Sequence, residues 1–178
     1  MNKILIIQTA FIGDVILATA LVESLADKYP NAQIDFVLRK GNEPLFEGHP
    51  KLNRLFIWDK KNSKYTQLKK VISEVRKTDY DLLLNLQRFG ASGWMSWRAK
   101  AKTKIGFKKN PFSFCYDVKV GHKIGNGEHE IQRNLNLLST LGDFELKKPA
   151  LYPSEEQKNR IAAWFHDKKI VVMAPSSV

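Results

Sequence analysis

The pattern of apolar and polar positions changes soon after the chain begins. Residues 4–7 form a continuous apolar run, which is typical of a strand covered on both faces in a parallel sheet. After a short turn at Gly13, the apolar residues recur at helical spacing, at Val15, Ala18, Val22 and Leu25. This stripe predicts a helix that packs against the sheet. The opening is therefore a strand, a turn and a helix.

The alternation of strand and helix patterns continues through most of the chain. Further strands are predicted over residues 33–38, 54–58, 80–86 and 104–107, the last as an edge strand. Helices are predicted over residues 65–77, 93–101 with Ser92 as cap, and 128–141. Residues 110–126 have no firm periodicity and are expected to form a long, partly mobile loop. The order indicates an α/β fold, a Rossmann-like parallel sheet with helices on both faces.

The C-terminal segment has the signs of a second unit. Residues 147–153 read as a linker, and Ser154 to Gln157 match a capping box. The helix that follows is expected to face inward with Ile161, Ala162, Trp164 and Phe165. Residues 170–178 form an apolar run that ends in Pro-Ser-Ser. We therefore expect one domain over residues 1–150, with residues 151–178 as the linker, helix and first strand of a truncated second domain.

Charge and cysteine content narrow the choice of partner and compartment. A formal net charge of +11 at pH 7 indicates an anionic partner: nucleic acid, a phosphorylated sugar or an anionic membrane surface. The single cysteine is incompatible with an intrachain disulfide and fits a reducing cytoplasm. The first apolar run is too short for a signal peptide, and no run is long enough to span a bilayer. Any membrane contact is expected to be peripheral.

A carboxylate stands at the predicted start of the first helix. Asp14 can simply cap free backbone N–H groups, where the helix dipole favours its ionised form. The alternative is a base or ligand anchor, because ligands of open α/β sheets bind at the carboxyl ends of the strands. Gln87 and Arg88 follow a predicted strand and are expected at the same edge. The turn has one glycine, Gly13, and so lacks the dinucleotide-binding and P-loop motifs.

A long basic stretch lies between Asp81 and Asp117, within which there is no acidic residue. It contains Arg88, Arg98, Lys100, Lys102, Lys104, Lys108 and Lys109, with tryptophans and phenylalanines between them. Such a stretch is either an anion-binding surface that also touches lipid or bases, or a set of solvated loops. His122 and His129 lack a second ligand at metal spacing, so no metal site is expected.

Several segments, taken in order, resemble glycosyltransferase family 9, the lipopolysaccharide heptosyltransferases. They are Gly13-Asp14-Val15, Tyr29-Pro30 followed by Ile34-Asp35-Phe36, the helix with His129, Arg133 and Leu141-Gly142, and Ala174-Pro175-Ser176-Ser177. The resemblance implies a GT-B fold. Residues 1–150 would be its acceptor-side N-terminal domain, and residues 151–178 would begin the donor-binding domain.

The resemblance also implies a reaction and its residues. Asp14 would be the base that deprotonates the acceptor hydroxyl. The acceptor would be contacted by Thr9, Gly13, Gln87, Arg88, Arg98, His129 and Arg133. The donor phosphates would be contacted by Ser176 and Ser177. The implied enzyme is bacterial, inverting and free of metal and cofactor, and it moves heptose or a related sugar from a nucleotide sugar, ADP-heptose, to a lipopolysaccharide core acceptor. The segment alone is expected to be inactive.

The implied setting is the cytoplasm, with peripheral contact to the anionic inner face of the inner membrane. The implied partners are the nucleotide sugar donor and a phosphorylated, lipid-linked saccharide acceptor, and not nucleic acid. An interpretation from another class stays open, a non-catalytic basic Rossmann-like module that binds nucleic acid or another anionic partner. It predicts steeply salt-dependent oligonucleotide binding that is indifferent to Asp14→Ala.

Overall fold

The computed structural model describes residues 1–122, 127–145 and 147–162, together with Trp164, Val171 and Met173. Within these residues the strands are β1 (Lys3–Ile7), β2 (Gln33–Arg39), β3 (Arg54–Trp58), β4 (Asp79–Asn85), β5 (Lys100–Phe107) and β6 (Val118–Val120). The α-helices are α1 (Ile12–Lys28), α2 (Lys64–Val75), α3 (Gly90–Arg98), α4 (Glu130–Leu135) and α5 (Glu155–Ala162). Short 3-10 helices cover Glu43–Leu45, Ser113–Cys115 and Asn136–Leu141.

The described strands form one parallel sheet in the order β3-β2-β1-β4-β5-β6. The chain starts in the middle, moves outward to β3, and then crosses to β4 on the other side of β1. The order of strands therefore reverses between β1 and β4. This reversal opens a crevice at the carboxyl ends of those two strands.

Helices cover both faces of the sheet, as the sequence predicts. On one face, α1, α4 and the 3-10 helix Asn136–Leu141 bury a cluster that includes Leu21, Leu25 and Leu138. On the other face, α2 and α3 bury a cluster that includes Leu68, Val75 and Met95. The side chains of Ile4 to Ile7 alternate between the two clusters, which explains the unbroken apolar run in β1. None of the described helices combines the length and the apolar character needed to cross a bilayer.

The predictions for residues 92–126 are wrong in three respects. Helix α3 begins at Gly90, and Ser92 is not its cap, because the Ser92 hydroxyl donates to the carbonyl of Phe89 over 2.8 Å. Strand β5 starts at Lys100 and is not an edge strand, since β6 pairs with it. The expected mobile loop contains this short strand and a 3-10 helix. Residues 123–126 lie outside the described part of the chain.

The helix predicted over residues 128–141 is divided. Helix α4 ends at Leu135, and a 3-10 helix continues to Leu141. Asparagines at positions 134 and 136 flank the junction, and asparagine is a weak helix former because its side chain competes for backbone hydrogen bonds. Gly142 ends the segment with a φ of +99°, a conformation that favours glycine.

The linker region packs on α1. The backbone N–H of Ala150 donates to the Thr19 hydroxyl over 3.0 Å, and the Tyr152 hydroxyl donates to Glu23 over 3.0 Å. The predicted capping box is present, with Ser154 and Gln157 exchanging hydrogen bonds of 2.9 and 3.1 Å. The prediction that Ile161, Ala162 and Trp164 face inward is wrong, because all three are exposed. Phe165 and the strand predicted from residue 170 fall outside the described residues.

Candidate functional site

A cavity of about 470 Å³ opens at the carboxyl ends of the central strands. Its lining residues are Thr9, Ala10, Phe11, Asp14, Arg39, Lys60, Leu86, Gln87, Arg88, Phe89, His122 and Glu130. Thr9 follows β1 and Gln87 follows β4, so the cavity lies where the order of strands reverses. That is the usual ligand position in open α/β sheets.

Asp14 lies in the first turn of α1, two residues after its start. The capping position is occupied by Phe11, which makes no side-chain cap hydrogen bond, so the interpretation of Asp14 as an N-cap is wrong. Its side chain is partly exposed to the cavity. In the described part of the chain, no hydrogen bond or ion pair engages the Asp14 carboxylate. The carboxylate is therefore available to a ligand in the cavity.

Lys60, just after β3, is the most perturbed cation in the cavity. Its ammonium donates to the carbonyl of Thr9 and lies 4.7 Å from the centre of the Trp58 ring. Burial, assisted by the charges of Arg39 and Lys64, lowers the pKa of Lys60 from 10.5 to about 8. The group is thus largely charged at neutral pH and titrates just above it.

Two guanidinium groups complete the positive lining. Arg39, at the end of β2, lies over the Phe11 ring at 4.9 Å, and Arg88 lies over Phe89 at 5.5 Å. Both rings are largely exposed. Because arginine presents a planar set of donors that matches phosphate and carboxylate oxygens, these side chains suit an anionic ligand.

A buried polar network fixes the loop after β4. Asn85 donates to the hydroxyls of Tyr116 and Ser96 over 2.7 and 3.0 Å and accepts the backbone N–H of Gln87 over 2.9 Å. Asn110 donates to the carbonyls of Gln87 and Phe89 over 3.0 and 3.1 Å. The Gln87 amide in turn donates to Gln8. Buried hydrogen bonds of this kind restrain a loop, so the network holds Gln87 and Arg88 in place.

The structure brings some of the predicted residues together and not others. Thr9, Asp14, Gln87 and Arg88 line the cavity. Gly13 is an exposed neighbour in the first turn of α1, with open space where a Cβ would lie. Arg98 lies at the far end of α3, in a separate groove. The acceptor roles of all these residues stay predictions.

His129 lies at the N-cap of α4 and Arg133 lies in its last turn, and both make local hydrogen bonds. The Nδ1 atom of His129 caps the helix by accepting the N–H of Ile131 over 3.2 Å. Arg133 donates to Glu130 over 2.9 Å. From this helix, Glu130 contributes to the cavity lining. Ser176 and Ser177 lie outside the described residues.

Four charged or titratable residues of the lining are absent from the predicted set: Arg39, Lys60, His122 and Glu130. The position of the two cations after β2 and β3 was the available signal, since those carboxyl ends share the edge occupied by Gln87. His122 packs edge-on against Phe107 at 4.5 Å, and burial lowers its pKa. No cluster of three potential metal ligands occurs in the residues that the structure describes.

The fold is shared with solved glycosyltransferases of the GT-B type. A family 9 glycosyltransferase from Veillonella parvula superposes with a TM-score of 0.81 at 22% identity, over 95% of this chain and 51% of that protein. The Escherichia coli heptosyltransferase WaaC, solved with ADP-2-deoxy-2-fluoro heptose, superposes with a TM-score of 0.66 at 19% identity, over 83% and 50% of the two chains.

Sequence comparison gives the family. The profile of glycosyltransferase family 9 (heptosyltransferase) matches residues 68–178, more than half of the 178 residues. The chain therefore belongs to glycosyltransferase family 9. Lipopolysaccharide heptosyltransferase 3 of Escherichia coli is 28% identical over 145 residues, which cover 73% of this chain and 40% of the relative. Lipopolysaccharide core heptosyltransferase OpsX of Haemophilus influenzae is 31% identical over 109 residues, 60% of this chain and 30% of the relative. The chain spans about two fifths or less of these relatives.

Proposed function

We propose that this chain is the acceptor-side part of an inverting, metal-independent glycosyltransferase, which moves heptose or a related sugar to a lipopolysaccharide core acceptor. The observation that carries the proposal is the Asp14 carboxylate. It is partly exposed in the cavity at the point of strand reversal, and no described residue pairs with it. Arg39, Lys60 and Arg88 line the same cavity and suit the anionic groups of the acceptor.

The chemistry needs one base. The acceptor hydroxyl oxygen attacks the anomeric carbon of the donor, and its proton passes to the Asp14 carboxylate. The bond from the anomeric carbon to the diphosphate breaks, and the nucleotide diphosphate leaves with the electron pair. One direct displacement inverts the anomeric centre, and positive side chains and helix N-termini stabilise the leaving charge without a metal.

The substrates follow from the same proposal. The donor is a nucleotide diphosphate sugar, ADP-heptose, in keeping with the fluorinated ADP-heptose bound to WaaC and with the heptosyltransferase family of the chain. Ser176 and Ser177 contact its phosphates. Thr9, Gln87 and Arg88 contact the acceptor at the cavity, and Gly13, His129 and Arg133 are the further predicted contacts, whereas Arg98 lies in a separate groove. The protein works in the cytoplasm, in peripheral contact with the membrane that carries the lipid-linked acceptor.

Asp14→Asn tests the base. The change removes the charge and keeps the shape, so turnover should fall by about 10²- to 10⁴-fold. Acceptor affinity, measured on this chain by titration with a lipid A-like acceptor in detergent, should change little. Transfer is measured as ADP release from ADP-heptose, on this chain joined to the donor-binding half of the Escherichia coli heptosyltransferase 3.

Glu130→Gln is the matched control, because Glu130 is the other carboxylate in the lining. Equal losses of turnover in the two variants would contradict Asp14 as the base. The alternative, a non-catalytic module, predicts instead that the chain binds oligonucleotides with a steep salt dependence and that Asp14→Asn changes nothing.

A further inference from the structure

A second basic surface lies apart from the Asp14 cavity, on the face of the sheet covered by α2 and α3. A groove of about 740 Å³ runs between these helices. Its lining has five cations and no acidic residue; the cations are Lys69, Arg76, Lys77, Arg98 and Lys100. It shares no lining residue with the cavity. We call it the α2–α3 groove.

Three of these cations carry charge that is not compensated locally. Lys77 pairs with Glu74 at 2.6 Å, and Lys100 with Asp79 at 3.6 Å. For Lys69, Arg76 and Arg98, by contrast, the structure shows no ion pair within the described ranges. All three side chains are exposed, so the groove presents a concentrated positive field to solvent. Such a field attracts an anionic partner.

Exposed aromatic rings border the same groove. Trp97, which lines it, is 46% exposed, and Phe114 beside it is 64% exposed. The rings of Trp97, Phe112 and Phe114 lie 5.8–6.2 Å apart and are tilted or edge-on to one another. They form an apolar ridge, and not the separate open faces on which successive bases stack. Exposed tryptophan and phenylalanine beside lysine and arginine are typical of surfaces that lie in a membrane interface.

We propose that the α2–α3 groove and the ridge of Trp97, Phe112 and Phe114 form the surface by which this protein lies on an anionic phospholipid bilayer. Lipid phosphates contact Lys69, Arg76 and Arg98, and the ring of Trp97 enters the headgroup layer. The inference gives a location to the peripheral contact in the proposed function. Its test does not use sugar transfer, so it stands or fails independently of Asp14.

The test is sedimentation of the chain with vesicles of phosphatidylcholine that contain about 30% phosphatidylglycerol, with pure phosphatidylcholine for comparison. The groove variant is Lys69→Gln, Arg76→Gln and Arg98→Gln together. The control variant is Lys148→Gln, Lys158→Gln and Arg160→Gln, which lowers the net charge equally but changes exposed residues of the linker and α5. At about fivefold per cation near an anionic surface, the groove variant should bind roughly a hundredfold more weakly, and the control variant should bind nearly as well as the parent chain.

Trp97→Phe gives a second readout that does not depend on charge. Quenching of tryptophan fluorescence by acyl chains brominated close to the headgroups should be weaker in this variant than in the parent chain, while Trp94, which lines the same groove, keeps part of the signal. Circular dichroism confirms that each variant is folded. Equal weakening of the groove and control variants, no preference for phosphatidylglycerol, or quenching unchanged in Trp97→Phe would overturn the proposal. So would an oligonucleotide that binds more tightly than vesicles with the same dependence on the groove cations, which would assign the surface to nucleic acid.

Discussion

The protonation of Lys60 makes ligand binding in the Asp14 cavity sensitive to pH. Burial places the pKa of Lys60 at about 8, so raising the pH from about 7 to about 9 converts most of its ammonium to the neutral amine. The burial-lowered pKa of His122 keeps that imidazole neutral over this range. A phosphate ligand has already lost its second proton, whose pKa is about 6. Lys60 is therefore the group of the lining that we expect to titrate in this interval.

The size of the effect follows from that pKa. If an anionic acceptor binds only the ammonium form, the apparent Kd increases by the factor 1 + 10^(pH − pKa). At about pH 9 this factor is roughly ten. Any residual binding of the acceptor by the neutral amine makes the factor smaller, so tenfold is the upper bound for wild type.

The assay is a titration of the chain with the phosphorylated lipid A-like acceptor, at constant ionic strength, in steps from about pH 7 to about pH 9. Wild type should lose affinity with rising pH. Lys60→Arg should keep its affinity, because a guanidinium stays charged. Lys60→Gln should be weak at every pH. A wild-type curve parallel to that of Lys60→Gln would refute the reasoning, since it would show that the Lys60 ammonium does not contact the ligand.

Unfolding of the chain is not expected to cause the loss of acceptor affinity at high pH. The pKa of Lys60 is lower in the folded chain than its ordinary value of 10.5, so the unfolded chain binds more protons between about pH 8 and about pH 10.5. The contribution of Lys60 to the free energy of unfolding therefore increases as the pH rises through that window. Circular dichroism at each pH checks that the chain is folded while affinity falls.

Three further substitutions test the packing around the site, each by urea unfolding and acceptor titration. Gly93→Ala would place a Cβ 2.1 Å from the Asn110 side chain, so it should lower the free energy of unfolding by about 1–3 kcal/mol. It should also weaken acceptor binding, because Asn110 holds the loop of Gln87. The control Gly121→Ala meets open space and should change neither quantity. Tyr116→Phe removes one of the acceptors of the buried Asn85 amide and should cost about 1–2 kcal/mol; a cost near zero would contradict the network. Gly13→Ala, at an open helical position, should stabilise the chain by up to about 1 kcal/mol. Unchanged acceptor affinity in that variant would contradict the predicted contact at Gly13.

The elements that the sequence predicted well are those in which a buried face dominates the pattern. Strand β3 has the predicted bounds, and the predicted stripe of Val15, Ala18, Val22 and Leu25 is buried in α1. Strand β5 was less visible because lysines at positions 100, 102 and 104 alternate along its first half and resemble the polar end of a helix. Strand β6 has only three residues, too few for a periodic pattern, and its pairing with β5 is a property of the sheet.

Part of the site could be predicted from one rule, that residues after parallel strands share an edge. The rule placed Asp14, Gln87 and Arg88 together, and it applies equally to Arg39 and Lys60. It does not apply to Arg98, because α3 has nine residues and carries that side chain about 13 Å along the helix from the edge. Glu130 and His122 line the cavity because the chain after β6 lies close to the carboxyl ends of the central strands. Local periodicity carries no information about that path.

The net charge of +11 that first indicated an anionic partner includes two separate sets of cations. Arg39, Lys60 and Arg88 line the cavity, and Lys69, Arg76 and Arg98 line the α2–α3 groove. Helix α3 connects the two, because Phe89 at its start lines the cavity and Arg98 at its end lines the groove. If the groove lies on the bilayer, α3 connects the membrane surface to the Asp14 cavity over the length of one short helix, about 13 Å. A lipid-linked acceptor, anchored in the membrane and carrying its sugars outward, would then reach the cavity without leaving the bilayer.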